Sequence, residues 1–506
     1  NRSAVQIPDP FIEKLIIEAI LEARNEKCIN AMKDLGGGGL SCAISETAES
    51  LGIGIELDVD SVHTRESGLL PYEIMISESQ ERMLVITSKQ KLPKLKQICN
   101  KFNITCSVIG HVKNDKMMHV KKSKKTIALL PAEFVARGPL LNRKKTKPKY
   151  LLQIKRETKA KKILDYSKII QELLSCPNIA SKHWVFQQYD HEVGIRTVVK
   201  PGFDASVLRL DNGKFLSVKI DGNPKHCYLN PRDGAIGCFE EACRNVVCTG
   251  AKPIGMVDHL QFGNPEDPEI FWTFMESLQG LTDLAKFLKI PCVGGKVSFY
   301  NETPEGPIKP TPLIGVLGII NKTPLQPTPP TPDDYLIVVG NTKNELGGSE
   351  YFEYIHDFIG GICPTVDFKG SKSNMLTVLS LIKQNLVKSV HDCSKGGISI
   401  AVSEMSILGT IGCDIDIGKS PTEENLNSEQ LLFSESHSRY LLVVTKKNIK
   451  KTKQILSKNK IPFGVLGNFT SDQISVKRKS KRLVKINVDV AQRKYFNALK
   501  EILDNG

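Results

Sequence analysis

Asp34-Leu-Gly-Gly-Gly-Gly39 joins one carboxylate to four glycines that lead into an apolar, helix-patterned segment. Backbone stripped of side chains lets N–H groups converge on an anionic oxygen, and a helix N-terminus favours the same charge. A carboxylate at the rim of such a nest is placed to hold Mg²⁺ bridging phosphates. A tight helix-entry turn capped by Asp34 would use the same residues, and the spacing leaves both readings open. It is no Walker A loop, because no Gly-Lys-Ser/Thr follows. Further on, Ser77-Glu-Ser-Gln-Glu-Arg82 sets six polar residues directly before the apolar run Met83–Thr87. A buried strand needs such an entry when the side chains face a ligand; the alternative is a solvated turn.

Three more segments have strand-end character: Ile220-Asp-Gly-Asn-Pro224, Asp258-His-Leu-Gln-Phe-Gly-Asn-Pro265 and Val293-Gly-Gly-Lys-Val-Ser-Phe-Tyr-Asn301. Ligands gather where such loops converge. Asp258 can hold a metal or a nucleotide, and Gly294-Gly295 permits close approach of a phosphate.

The chain also repeats itself. Asp34 and the glycine run return at Asp392-Cys-Ser-Lys-Gly-Gly397, 358 positions on, and Ser77–Arg82 returns as Ser434-Glu-Ser-His-Ser-Arg439, 357 positions on. Lys122-Ser-Lys-Lys125 returns as Lys479-Ser-Lys-Arg482, again 357 positions on. Three anchors in one register mean a duplicated domain. The second copy follows an organised stretch of about 150 residues; the first follows almost nothing, and the chain opens on Asn1. The expectation is that a first front domain is missing from these residues.

The 506 residues are ordinary in hydrophobic and charged content and suffice for several cores. No apolar run reaches the roughly 18 residues of a membrane span. Thirteen scattered cysteines without a Cys-x-x-Cys pair point to reduced thiols in a cytoplasm. Cys238, Cys243 and Cys248 recur every five residues, which on a helix turns each well away from the last and argues against a metal cluster. The net charge of +14 sits in lysine clusters at Lys113–Lys125, Arg143–Lys162 and Lys477–Lys485. The first and third are the same repeat position and guard a hairpin edge. No stacking aromatics are interleaved with them, so the reading is no nucleic acid and attraction of small anions instead.

The pattern predicts helices over Phe11–Glu26, Ser41–Leu51, Gly234–Cys248 and Glu269–Leu288. It predicts strands over Ile53–Val59, Met83–Thr87, Ser206–Leu210, Phe215–Ile220, Pro253–Leu260, Leu313–Ile320 and Tyr335–Val339, with a short one at Cys292–Val293. The class is mixed α/β (α+β). The domains expected are 1–145, then a basic linker 146–170, a front domain 171–325 and, after a Pro-rich linker, a second repeat domain 333–490.

These motifs resemble those of the synthetase subunit of phosphoribosylformylglycinamidine synthase, small type. The resemblance rests on Ser3–Phe11, Asp34–Leu40, Pro71–Met83, Gly250–Pro253, Phe262–Pro265, Val297–Glu302 and His391–Gly397. It implies tandem aminoimidazole-ribonucleotide-synthetase-like units, each a front domain followed by a repeat domain. It implies conversion of formylglycinamide ribonucleotide, ATP and ammonia to formylglycinamidine ribonucleotide, ADP and phosphate through an iminophosphate. It implies substrate contacts at Gln6, Glu78, Ser79, Gln80 and Ser298, ATP at Asp258 and Gly295, and Mg²⁺ at Asp34. Partners implied are a glutaminase subunit and a small accessory subunit. Two departures stand out. Lys296 replaces an Asn that ligates Mg²⁺ in the family, leaving the metal count open. The family's histidine motifs of the first front domain are not in this sequence, so no catalytic residue is assigned and this polypeptide alone is expected to be inactive. The alternatives are a nucleotide-binding module without turnover, or another ATP-dependent synthetase of the superfamily, against which the duplication speaks.

Overall fold

The computed structural model describes residues 8–138, 141–155, 165–470 and 472–504. It comprises two compact units, Asn1–Asn142 and Arg143–Gly506, each mixed α/β.

In the first unit, helix Pro10–Asn25 starts where the Asp9 carboxylate accepts the N–H groups of Phe11 and Ile12, with proline in its first turn. Helix Gly39–Leu51 stops at Gly52, whose φ of 66° is left-handed. The strands are β1 (Ala31–Asp34), β2 (Gly54–Asp58), β3 (Met83–Ile86), β4 (Gly110–Lys113), β5 (Met117–Lys122) and β6 (Lys125–Pro131). They form a two-stranded sheet β1-β3 and a four-stranded sheet β4-β2-β5-β6.

The second unit holds two larger sheets. Strands β7 (Thr197–Val199), β8 (Ser206–Arg209), β9 (Phe215–Asp221), β10 (Lys252–Gln261) and β11 (Cys292–Ser298) belong to the front sheet. A short hairpin, β12 (Glu302–Thr303) with β13 (Gly306–Pro307), precedes its last member, β14 (Thr311–Ile320), and the order is β11-β10-β14-β9-β8-β7. The repeat domain contributes β15 (Tyr335–Val339), β16 (Ser389–Asp392), β17 (Cys413–Asp416), β18 (Tyr440–Val444), β19 (Phe463–Phe469), β20 (Gln473–Arg478) and β21 (Lys481–Asn487), ordered β16-β18-β15-β19-β17-β20-β21. Helix Pro231–Cys248 starts on an Asn230 cap and is buried from Gly234 to Cys248. One apolar core runs from front-sheet residues Ile314 and Val316 through Phe239 and Val246 of this helix to Leu442 and Val444 of β18.

The two copies agree in register. Leu57 pairs with Gly110 as Ile415 pairs with Gly467, and each glycine lies against the carbonyl of the neighbouring strand, Glu56 or Asp414. Three expectations change. Cys292–Val293 is the start of a strand that runs to Ser298, so Gly294 and Gly295 lie within β11, paired parallel to β10, rather than in a loop. Asp258 likewise lies inside β10, because that strand continues to Gln261. Helix Tyr166–Leu174 straddles position 171, and Ile169, Ile170, Leu173 and Leu174 pack into the repeat-domain core, not the front domain.

Candidate functional site

In the first unit the chain brings Asp34, the glycines and the Ser77–Arg82 turn to one corner. Asp34 closes β1 and pairs with Met83 of β3. Gly38 and Gly39 take φ values of 76° and 56°, left-handed backbone that side chains disfavour, and Gly39 also has no room for a Cβ against the Ser77 carbonyl. The Gly38 N–H then donates to Glu78 Oε1 at 3.1 Å. The Arg82 guanidinium donates to the carbonyls of Ser79 (2.9 Å) and Ser77 (2.6 Å), which fixes the turn. Ser77 and Ser79 hydroxyls lie 3.0 Å apart, and Gln80 Nε2 donates to the Glu78 carbonyl at 3.1 Å. Asp34 and Gln80 are exposed, Glu78 and Ser79 half-buried. The nest expected for a ligand phosphate is therefore taken, at Gly38, by the protein's own Glu78 carboxylate. Gln6 lies outside the described residues; three positions on, the Asp9 N–H donates to Glu81 Oε1 at 2.9 Å.

The second copy repeats these bonds and closes over them. Gly396 N–H donates to Glu435 Oε1 at 2.8 Å, and Arg439 donates to the carbonyls of Ser436 and Ser434. Here, however, Glu435 is buried and also receives the Glu350 N–H at 2.9 Å. Burial, with Glu350 nearby, pushes the Glu435 carboxyl up to about 7. Lys225 pairs with Glu350 and Glu353, each at 2.7 Å. Lys395 approaches Asp221 at 4.0 Å, while burial and then Glu241 raise Asp221 to about 7. Asp392 is buried and held by Arg244 at 3.0 Å.

In the front sheet Asp258 sits opposite Gly295 on β11 and Ile314 on β14, and Ile314 in turn sits opposite Asp221. The row places Asp221 and Asp258 two strands apart, roughly 10 Å at strand spacing. The Asp392–Gly397 loop reaches Asp221 through Lys395, and Asp258 and Gly295 continue the same strand row. A Cβ on Gly295 would fall on the Asp258 carboxylate, so glycine is what leaves room for that side chain. Partial burial raises the Asp258 pKa, and Cys292 Sγ lies 3.5 Å from its Oδ2. Ser298 ends the strand with its hydroxyl 3.2 Å from Asn301 Nδ2. Lys296, beside Gly295, is exposed and leaves an ammonium, not a metal-ligating amide, at the strand edge.

Sequence reasoning missed His391. Its ring nitrogens lie 3.0 Å from Asp204 and 3.1 Å from Glu404. Burial alone would lower its pKa, but the two carboxylates outweigh it and hold an imidazolium. Asp204, His391 and Asp392 are close enough for a metal ion. With both nitrogens of His391 committed to carboxylates, the set reads as an ion cluster. The signal was available: Lys33 and Glu46, in register with His391 and Glu404, pair at 2.6 Å.

Comparison with known proteins bears on this geometry. The C-terminal domain of AIR synthase related proteins matches residues 1–122 and 331–479, and the N-terminal domain of the same group matches 202–320. The subunit PurL of phosphoribosylformylglycinamidine synthase from Thermococcus sibiricus is 42% identical over 505 residues, covering 99% of this chain and 69% of that protein. The Methanocaldococcus jannaschii PurL is 39% identical over 515 residues, 99% of this chain and 69% of its own.

The chain belongs to the PurL family.

Solved structures of Thermotoga maritima PurL share its fold. The complex with ATP aligns at TM-score 0.66 and 23% identity over 92% of this chain and 68% of that one, and the complex with FGAR at the same TM-score over 66% of that one. PurL membership accounts for the twice-matched C-terminal domain, which is the duplication seen in both sequence and strand order. This PurL-family chain spans about two thirds of the length of those relatives. Among the described residues no helix is long and apolar enough to cross a membrane.

Proposed function

We propose that this chain serves the PurL reaction: ATP-dependent conversion of formylglycinamide ribonucleotide and ammonia to formylglycinamidine ribonucleotide, ADP and phosphate in purine biosynthesis. An amide oxygen is a poor leaving group. Transfer of the ATP γ-phosphoryl to that oxygen makes an iminophosphate; ammonia adds at carbon and phosphate departs. The observation that carries the reading is the first-copy corner, where Asp34, Glu78, Ser79 and Gln80 are accessible while their second-copy counterparts Asp392 and Glu435 are buried against the protein's own cations.

Gln6, Glu78, Ser79, Gln80 and Ser298 bind formylglycinamide ribonucleotide, and Asp258 and Gly295 bind ATP. Asp34 holds Mg²⁺: an exposed carboxylate beside the half-buried Glu78 is the hard-oxygen donor chemistry that ion takes. When bound, the ion neutralises charge on the transferring phosphoryl group. Glu78, oriented by Gly38, presents its remaining carboxylate oxygen, and Arg82 holds the Ser79 backbone in place. Ammonia comes from a glutaminase subunit, with a small accessory subunit completing a cytoplasmic assembly. The domain 1–145, a front domain that begins after helix Tyr166–Leu174 and runs to 325, and the domain 333–490 supply these groups.

Titration calorimetry with formylglycinamide ribonucleotide is the test. Glu78→Gln keeps an acceptor for Gly38 but removes the charge, and should weaken binding at least tenfold with little change in Tm. Unchanged affinity overturns the assignment. Turnover with ammonia is expected to be absent for the 506 residues alone, since the family's histidine motifs are not among them.

A further inference from the structure

One duplicated pair of helices differs in charge between the copies. In the first unit, helix Leu92–Lys101 packs along helix Pro10–Asn25, with Leu95 and Ile98 in one core with Ala19 and Ala23. Lys94 lies 3.8 Å from Glu26 and Lys101 lies 2.6 Å from Glu22, so ammonium groups of one helix meet carboxylates at the end of the other. The second copy repeats the two helices at offsets of 358 and 357 positions, as Phe368–Lys383 and Ile449–Lys458, and packs Leu456 with Val378 and Leu381. The lysines return as Lys451 and Lys458, but Glu22 and Glu26 return as Ser380 and Gln384.

The contrast extends over the whole face. Residues 445–460 hold seven lysines and no acid, and residues 368–388 hold four more lysines, again with no acid. All seven are exposed, and no ion pair among the described residues involves them. The two helices touch through neutral groups instead: Asn448 Nδ2 donates to the Asn385 carbonyl at 3.1 Å, and Asn459 Nδ2 donates to Thr377 Oγ1 at 3.4 Å. Lys450 and Lys453 stand one turn apart, where like charges repel, and Lys450 and Lys451 sit in the first turn, where the helix dipole disfavours cations. Positive charge is concentrated here at a cost, with no carboxylate of the described residues to offset it. Residues 445–460 hold no aromatic side chain to stack on a base, and their cations are lysines rather than planar guanidinium groups. Ile449, Ile455 and Leu456 pack into the core, which leaves this helix no apolar face for a membrane.

We propose that this lysine face docks an acidic helix of a partner protein, with carboxylates one turn apart. The first copy shows what these lysine positions accept, since Glu22 and Glu26 are four residues apart at the end of a helix. In the second copy the partner supplies from outside what the first supplies from within, and opposite charge steers the encounter. The inference rests on the duplicated helix pair and stands apart from the synthetase reading.

The test uses the full chain and, as probe, an alanine-based helical peptide of about 20 residues with glutamate at every fourth position, titrated at two salt concentrations. Saturable binding is expected, at least tenfold weaker at about 200 mM than at about 50 mM salt. Lys451→Glu with Lys458→Glu should weaken it at least tenfold. Ser380→Glu with Gln384→Glu rebuilds the first-copy pairs and should weaken it at least fivefold, with Tm at or above the parent's. Lys481→Glu with Lys485→Glu, a charge reversal on the exposed β20-β21 hairpin, should leave affinity within about twofold of the parent's. Absence of saturable binding, an equal loss in the hairpin variant, or indifference to the rebuilt carboxylates overturns the proposal. So does tighter binding, at equal salt, of an RNA duplex or of phosphatidylserine vesicles than of the peptide, which would make phosphate the ligand.

Discussion

Glu78 and Glu435 occupy one position of a repeated loop and differ only in what surrounds them. Each accepts a glycine N–H at the start of a helix. Glu435 adds burial and a second carboxylate, Glu350, which raise its pKa to about 7 against about 4.3 in an unfolded chain. A carboxyl whose folded pKa is raised binds more protons folded than unfolded. Its contribution is fully present below the unfolded value and is lost as pH rises towards the folded one. His226, 3.6 Å away and lowered to about 3 by burial, slopes the opposite way between about 3 and 6.5, but it is common to parent and variant. Glu435→Gln keeps the acceptor and removes the titration. Its Tm relative to the parent should therefore climb from pH 4.5 to 7.5, by stability on the order of 3 kcal/mol. A flat difference in thermal melts would mean that Lys225 keeps Glu435 ionised across the range.

At the scale of elements, much was legible because the causes are local. Helix Pro10–Asn25 has its Asp9 cap and a 3.6-residue apolar period, and Tyr335–Val339 is an apolar run bounded by turn residues. β11 was not legible as a full strand, because two adjacent glycines normally punctuate strands. What overrides propensity there is tertiary: Gly295 lies beside a carboxylate from the neighbouring strand, and no side chain fits both. The role of Arg244 was half hidden: Glu240 is its neighbour by helical spacing alone, but Asp392, 148 positions on, meets it only when helix Pro231–Cys248 is enclosed. The β11 geometry gives a prediction. Gly295→Ala puts a methyl where the Asp258 carboxylate lies and must displace it. β11 is an exposed edge strand, so Tm should move by no more than a couple of degrees. If Asp258 contacts nucleotide, ADP affinity in the presence of Mg²⁺ should fall at least tenfold by calorimetry. Parent-like affinity would remove Asp258 from the nucleotide site.

Across the whole molecule, one domain plan is used twice with opposite outcomes. Asp34 is exposed at the end of β1, whereas Asp392 is buried at the end of β16 with Arg244 against it. Duplication makes the two aspartates equivalent in backbone, so the contrast isolates environment from sequence. Neutralising an exposed carboxylate costs little stability. Neutralising a buried one takes a carboxylate from the Arg244 guanidinium, which is 0% exposed and keeps Glu240, Glu241 at 3.6 Å and the Cys393 carbonyl at 3.3 Å, and breaking a buried pair typically costs about 3–5 kcal/mol. Asp34→Asn should therefore leave the denaturation midpoint near the parent's while weakening the Mg²⁺ dependence of ligand binding. Asp392→Asn should lower stability by several kcal/mol without changing ligand affinity in the protein that remains folded. Urea melts paired with calorimetry read both quantities on the same samples. A stability loss for Asp34→Asn as large as that for Asp392→Asn would show that the first copy is braced like the second, and would return Asp34 to the role of a structural cap.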